Sequence, residues 1–77
     1  MASRPRKTDP EGLRRYLGAR VVHFRELQGY SQSGLAAASG IPSTSISRIE
    51  TGKANVQLDT IAKLATALRI KPSDLLP

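Results

Sequence analysis

Three glycines divide most of this sequence into short segments, and each segment has the apolar spacing of a helix. Gly29, Gly40 and Gly52 each follow a run whose apolar residues recur at intervals of three or four. Glycine readily adopts the left-handed conformation that ends many helices, and it is a poor residue inside one. The pattern therefore predicts helices joined by tight turns. No segment alternates with the two-residue period of a strand.

The segment before Gly29 predicts the longest helix, from Glu11 to Gln28. Its large apolar residues fall on one face of a helix because they are spaced by three or four positions. We expect that face to pack on the rest of the chain. It is formed by Leu13, Leu17, Val21 and Phe24.

The next two predicted helices are short. Ser31 is placed to accept the free amides at the start of the second helix, in which Leu35 points inward. Pro42 presets the entry dihedral of the third helix, which is expected to run to about Thr51. The third helix has few large apolar residues to bury, namely Ile46 and Ile49.

After a polar loop over residues 53–57, the stretch "LDTIAKLATAL" predicts a fourth helix with a broad apolar face. The tail "SDLLP" is long enough for about one further turn. Short connections between helices favour a compact bundle. The sequence therefore predicts an all-α fold of four to five helices, with an inward face on the fourth formed by Leu58, Ile61, Ala62, Leu64, Ala65 and Leu68.

The basic residues are concentrated at the N-terminal end. The chain has 12 Lys and Arg against 6 Asp and Glu, a formal charge of +6, and residues 1–25 hold seven of the basic residues and two of the acidic ones. Residues 1–10 have nothing to bury and are predicted to be a flexible basic arm, followed by one folded domain over 11–77. This charge suits a polyanionic partner, although charge alone is equally consistent with a solvated surface.

The composition argues against several classes of protein. The chain has no cysteine and a single histidine, His23, so it lacks the residues for a disulfide framework, a zinc cage or a catalytic relay. We therefore expect no enzymatic activity, no cofactor and no small-molecule substrate. It has no apolar run of membrane-spanning length and no secretory signal, which predicts a cytoplasmic location without a membrane partner.

Four stretches carry a family resemblance: "LGARVVHFREL", "SQSGLAAASGI", "SISRIETGK" and "LDTIAKLATALRIKPSDLL". Two short helices joined by a turn near Gly40 match a helix-turn-helix unit. Together, in this order, the stretches resemble the lambda-repressor-like (XRE/Cro-type) helix-turn-helix family over residues 17–76. Within that family, "TGKANVQLDTIAKLATAL" is similar to the controller proteins of restriction-modification operons. The resemblance implies that the third helix enters the major groove of double-stranded DNA.

A helix in the major groove needs an outward face that base edges can approach, and the third helix offers short hydroxyls and one arginine. Ser43 and Thr44, in its first turn, are candidates for contacts to bases, although hydroxyls at a helix start commonly serve as caps instead. Arg48 lies on the same face. Its forked guanidinium can make two hydrogen bonds to guanine, worth about 1–3 kcal/mol of discrimination, which makes it the leading candidate for reading sequence.

Residues around that face are candidates for contacts to the DNA backbone. The resemblance implies that the side chain of Gln32 orients on the phosphates, and the basic arm would lie along phosphates or in the minor groove. Solvation is the alternative for a lone surface lysine and for the arm. The predicted phosphate contacts are Gln32, Ser47, Lys53, Asn55, Arg4, Arg6 and Lys7.

The resemblance also implies an ion pair between Arg25 of the first helix and Glu50 at the end of the third. Such a pair would set the angle of the third helix. Pro42 and Gln57 stand where that family usually has hydroxyl caps, so the third and fourth helices are expected to begin irregularly.

These observations predict a sequence-specific transcription regulator that binds duplex DNA as a homodimer on an inverted repeat. One small domain makes few base contacts, and two-fold symmetry doubles them. The alternative is a protein-interaction module, such as an antitoxin that clamps a toxin through its C-terminal helices. The predicted dimer surface is formed by Leu68, Ile70, Leu75 and Leu76, which could instead close the core of the monomer.

Overall fold

The computed structural model describes residues 9–77, and these fold into four α-helices and a C-terminal 3-10 helix. No strand is present among the described residues, and the predicted all-α fold is confirmed. Helix bounds agree with those expected from the glycines and the apolar spacing to within about two residues. The elements are α1 (Pro10–Leu27), α2 (Gln32–Ser39), α3 (Ser43–Glu50), α4 (Leu58–Leu68) and the 3-10 helix Pro72–Leu75.

The first two helices have side-chain caps. The carboxylate of Asp9 accepts the Gly12 amide at 2.8 Å, and the hydroxyl of Ser31 accepts the Gly34 amide at 2.9 Å. Each cap satisfies one of the backbone donors that a helix start leaves unpaired. Since α1 begins at Pro10, the last residue assigned to the basic arm belongs to the helix. The arm's cations lie outside the described residues: Arg4, Arg6 and Lys7.

The helices enclose one apolar core. Both inward residues predicted for α3 are buried, Ile46 with no exposed surface and Ile49 with 3%. Their opposite face is therefore the outer surface of that helix. The buried set is completed by Leu17, Val21, Leu35, Ile41, Ile61, Leu64, Ala65, Leu68 and Leu75.

The buried face of α4 is narrower at the helix start than the sequence predicts. Leu58 is 79% exposed, and Ala62 is exposed as well. Side chains on a helix lean toward its N-terminus, so the side chain of the first residue projects beyond the helix start. The elements that pack on α4 are α1, α2 and the 3-10 helix, and they leave these two positions uncovered.

Helix α3 is held by α1 and α2, and its close approach to α1 depends on a glycine. Gly18 lies against the carbonyl oxygens of Ile49 and Glu50, where a side chain would collide with backbone atoms. This crossing fixes α3 on the scaffold while its outer face remains exposed. In the part of the chain that the structure describes, no helix combines the length and the apolar character needed to cross a membrane.

Candidate nucleic-acid interface

The outer face of α3 carries the three side chains predicted to read bases. Ser43, Thr44 and Arg48 are all exposed. Thr44 and Arg48, four residues apart, lie on the side opposite the buried isoleucines, and Ser43 lies beside them at the helix start. The N-cap residue, Pro42, makes no side-chain hydrogen bond, so the first amides of α3 have no side-chain acceptor. This end of the helix therefore offers hydroxyls and free backbone donors to a ligand.

Arg48 bends toward the loop that follows α3. One of its terminal nitrogens donates to the carbonyl oxygen of Lys53 at 3.2 Å, an exposed contact. A guanidinium has five N–H donors, so the others remain available. The Thr51 hydroxyl donates to the carbonyls of Ser47, at 3.0 Å, and Arg48, at 3.2 Å, at the end of the helix. Ser47 itself is half-buried.

The predicted ion pair between α1 and α3 is present. Nε of Arg25 lies 2.6 Å from Oε2 of Glu50, and a terminal nitrogen lies 3.2 Å from Oε1. The side chains are 14% and 5% exposed. The hydrogen bond to Glu50 raises the pKa of Arg25 above its ordinary value, against the opposing effect of burial. Arg25 also donates to the Tyr30 carbonyl at 3.0 Å, so one guanidinium joins α1, α3 and the turn before α2.

Gln32, predicted to contact phosphate, is oriented by the same carboxylate. Its amide nitrogen donates to Oε1 of Glu50 at 2.8 Å, and the residue is half-buried in the first turn of α2. An amide group carries two N–H donors. One is used by Glu50 and the second remains for a ligand, so the phosphate contact of Gln32 stays a prediction.

Lys53 and Asn55 lie in the loop between α3 and α4 and line a cleft of about 400 Å³ together with Arg48, Gly52 and Arg14. Sequence reasoning did not assign Arg14. The available signal was its spacing from Gly18, because residues four apart share one face of a helix. The face of α1 that meets α3 at Gly18 continues one turn earlier to Arg14.

The four residues predicted for the dimer surface divide into two kinds. Leu68 and Leu75 have no exposed surface in the monomer because they close its core, so they offer a partner nothing to contact. Ile70 and Leu76 are only partly buried and pack at the edge of the core. The structure therefore corrects the prediction for Leu68 and Leu75, which belong to the core, whereas a dimer surface at Ile70 and Leu76 stays a prediction.

His23 lies on the exposed side of α1, with its ring edge-on to Phe24 at a centroid distance of 5.0 Å. Among residues 9–77, no group of three or more His, Cys, Asp or Glu side chains is placed to hold a metal ion. No buried side-chain polar atom of the described residues lacks a hydrogen-bond partner.

The fold and this surface define a helix-turn-helix protein: α2 and α3 joined by a tight turn at Gly40, with an exposed polar face on α3. The profile of the helix-turn-helix family matches residues 23–75. The chain belongs to this family of DNA-binding transcription regulators.

Named relatives support the same assignment. The control protein C.BamHI of Bacillus amyloliquefaciens is 40% identical over 65 residues, which are 83% of this chain and 80% of that protein. A hypothetical transcription factor of Neisseria meningitidis is 35% identical over 68 residues, which are 88% of this chain and 64% of that protein.

Solved structures agree with the fold. The restriction-modification controller protein C.AhdI from Aeromonas hydrophila matches with a TM-score of 0.79 at 40% identity, over 82% of this chain and 96% of that one. The hypothetical transcription factor NHTF from Neisseria matches with a TM-score of 0.84 at 34% identity, over 100% of this chain and 85% of that one.

Proposed function

We propose that this chain is a sequence-specific regulator of transcription that binds duplex DNA as a homodimer on an inverted repeat. The observation that carries the proposal is the outer face of α3: Ser43, Thr44 and Arg48 are exposed, while the helix that carries them is fixed by a partly buried ion pair between Arg25 and Glu50. A helix that reads DNA needs an accessible polar face and a rigid support, because small displacements break hydrogen bonds to base edges.

In this proposal each of the three side chains contacts a different part of the DNA. Arg48 turns from its exposed contact with the loop to the two acceptors of a guanine, which distinguishes that base in the major groove. Ser43 and Thr44 contact base edges or phosphates at the helix start, and the methyl group of Thr44 can contact that of a thymine. Of these three side chains only Arg48 discriminates strongly between base pairs, so the sequence-dependent shape of the DNA also contributes to specificity.

Contacts to the backbone would fix the register of α3. The free amide proton of Gln32 is directed to a phosphate near the positive end of α2, where the helix dipole favours an anion. Loop residues and the basic arm would add contacts on either side of α3. The proposed set is Gln32, Ser47, Lys53, Asn55, Arg4, Arg6 and Lys7.

The homodimer would place two copies of α3 in successive major grooves, about 34–36 Å apart for half-sites separated by one helical turn. Its proposed surface is centred on Ile70 and Leu76, the partly buried apolar residues at the C-terminal end. The role is consistent with the names of two relatives, the control protein C.BamHI and the restriction-modification controller protein C.AhdI. The regulator would act in the cytoplasm, with the DNA that it binds.

The test is selection from a pool of randomised duplexes, followed by titration of the selected and a scrambled duplex with the wild type and Arg48→Ala. We expect the wild type to select a two-fold symmetric sequence. Arg48→Ala should lose about 1–3 kcal/mol of discrimination at one base pair of each half-site.

Lys71→Gln is the control for charge, because this exposed lysine lies on the chain after α4. It should keep full discrimination. Affinity that is independent of sequence for the wild type as well as Arg48→Ala would contradict the proposed function and favour a protein-interaction module.

A further inference from the structure

We propose that Arg14 of α1 and Lys53 of the loop after α3 form the two sides of a phosphate clamp. The clamp holds one backbone phosphate of the bound duplex at the edge of α3. The inference rests on the proposed function and adds α1 to the DNA-contacting elements. It assigns a role to Arg14, which neither the sequence patterns nor the family resemblance identifies.

The cleft between α1 and the loop after α3 is concave and basic. Its lining includes the cations Arg14, Arg48 and Lys53, the amide side chain of Asn55, and no carboxylate. Three like charges facing one cleft repel one another, and an anion bound between them removes that repulsion. The cleft therefore has the charge and the donors that a phosphate group requires.

The loop is held close to this part of α1. Gly52 has φ of +73°, and a Cβ atom added to it would stand 3.2 Å from Cγ and 3.4 Å from Cα of Arg15. The chain therefore passes directly over α1 beside Arg14. Because one side of the cleft is helix and the other a loop packed on that helix, the backbone positions that carry the cations are set before a ligand binds, which lowers the entropic cost of binding.

Arg14 differs from the other arginines of α1 in having no partner among the described residues. Arg15 pairs with Glu11 at 3.1 Å. Arg20 donates to the Asp74 carbonyl at 2.9 Å and lies over the ring of Phe24 at 4.8 Å. Arg25 is paired with Glu50. No hydrogen bond or ion pair to residues 9–77 occupies the guanidinium of Arg14.

The stem of Arg14 is supported as well. Arg14 and Asn55 line both the basic cleft and a neighbouring apolar groove that is formed mainly by Leu13, Leu17, Val56, Ile61 and Leu76. A long cationic side chain commonly packs its methylene groups on apolar surface while its charged end remains in water. With its methylene groups on the apolar groove, Arg14 would present its guanidinium to the cleft.

A backbone phosphate of DNA is the ligand that this cleft fits best. The cleft adjoins the exposed face of α3 through Arg48, so a duplex docked on that face brings its phosphates to the cleft. The cleft has no aromatic side chain to stack on a base and no carboxylate to bind a ribose hydroxyl, which argues against a free nucleotide. Contacts to phosphates position a protein on DNA without reading its sequence.

The experiment is the salt dependence of duplex binding by the full chain, measured on the selected duplex and on a scrambled one. Each phosphate neutralised by the protein contributes about −0.9 to the slope of log K against log salt concentration. Arg14→Gln should reduce the magnitude of that slope by about 0.9 per protomer on both duplexes and leave the ratio of the two affinities unchanged. Arg14→Lys keeps the charge and should keep the slope.

Lys53→Gln provides a second variant on the opposite side of the cleft, in an exposed loop where the substitution does not disturb the core. It should reduce the slope in the same way, and the double variant should lose less than the sum of the two single effects, since both contact one phosphate. Lys71→Gln removes a charge elsewhere and should keep the wild-type slope.

A duplex series with one neutral methylphosphonate at each position in turn identifies the phosphate. In each half-site, one methylphosphonate position should weaken binding of the wild type but not of Arg14→Gln. If Arg14→Gln has the same salt slope and the same methylphosphonate-sensitive positions as the wild type, the clamp is overturned and the regulator proposal is left intact. A wild type without sequence preference would overturn the regulator proposal, whereas a reduced slope of Arg14→Gln on the scrambled duplex would still support the clamp.

Discussion

A Cβ atom added to Gly18 of α1 would stand 2.8 Å from the carbonyl oxygen of Glu50 in α3, and it would also overlap the carbonyl of Ile49. These neighbours are backbone atoms of a helix, which cannot rotate away as a side chain can. The absence of a side chain at this one position therefore sets the distance between α1 and α3. The ion pair and the basic cleft, which both join α1 to the end of α3 or its loop, depend on that distance.

Gly18→Ala should destabilise the protein, because the added methyl group separates two packed helices. Overpacking of this kind costs about 1–3 kcal/mol, which exceeds the gain of about 1 kcal/mol from replacing a helical glycine. The midpoint of urea unfolding measures the effect. Gly34→Ala is the comparison: its nearest atoms are the Ser31 hydroxyl that caps α2 and a ring carbon of Tyr30, both at 3.3 Å. Its loss should be smaller than that of Gly18→Ala, because no backbone atom of another helix must move. Equal stability of Gly18→Ala and the wild type would contradict the assigned role of Gly18.

The helix pattern was predictable because it depends on local rules. Ser31 caps α2 as expected, and Gly40 ends it with φ of +75°, the left-handed value that glycine adopts without strain. As the sequence also predicts, neither Pro42 nor Gln57 makes a side-chain cap in the structure. Each of these features needs only neighbouring residues, so the sequence is sufficient to predict it.

Features that depend on packing between distant segments were not predictable in the same way. Leu58 has the apolar character of a core residue, and only the arrangement of the other elements leaves it exposed. Leu68 and Leu75 were equally suited to a dimer surface or a core, and the structure assigns them to the core. The spacing of Arg14 from Gly18 gives it a position on α1 but no role, since its cleft exists only where the loop after α3 passes over α1.

Glu50→Gln should cost about 1.5–3 kcal/mol of stability, because it leaves the partly buried guanidinium of Arg25 without its counter-charge. It also weakens the acceptor that orients Gln32. Urea unfolding measures the loss, and Glu11→Gln is the control, since the pair of Glu11 and Arg15 is exposed and contributes little. A loss no larger than that of the control would indicate that hydrogen bonding alone, without charge, holds α3 in place.

Leu75→Ala and Ile70→Ala should separate the core from the proposed dimer surface. Leu75 is fully buried, so its truncation should cost about 2–5 kcal/mol at every protein concentration. Ile70 is partly exposed, and its truncation should lower the dimer fraction in sedimentation experiments more than it lowers the stability of the monomer. An unchanged dimer fraction for Ile70→Ala would exclude this residue from the dimer surface.

Gln57→Ser should stabilise the protein, because α4 begins at a residue that makes no side-chain cap. Gln57 is exposed and has the extended conformation of an N-cap, with φ of −75° and ψ of 154°, so a serine hydroxyl could accept a first-turn amide. The gain should be about 0.5–1 kcal/mol in urea unfolding. Gln57→Ala, which has no acceptor, is the control and should give no such gain. A gain of equal size from both substitutions would show that capping is not its cause.

Arg69→Gly should also stabilise the protein, for a conformational reason. Arg69 ends α4 with φ of +59° and ψ of 43°, and among the described residues it is the non-glycine residue with positive φ. The left-handed conformation costs an L-residue about 1 kcal/mol through contact between Cβ and the carbonyl oxygen, a cost that glycine does not have. Arg69→Ala removes the same charge but keeps Cβ, so it should gain nothing. Urea unfolding of both variants decides the matter: a gain for alanine equal to that for glycine would assign the effect to charge instead of backbone conformation.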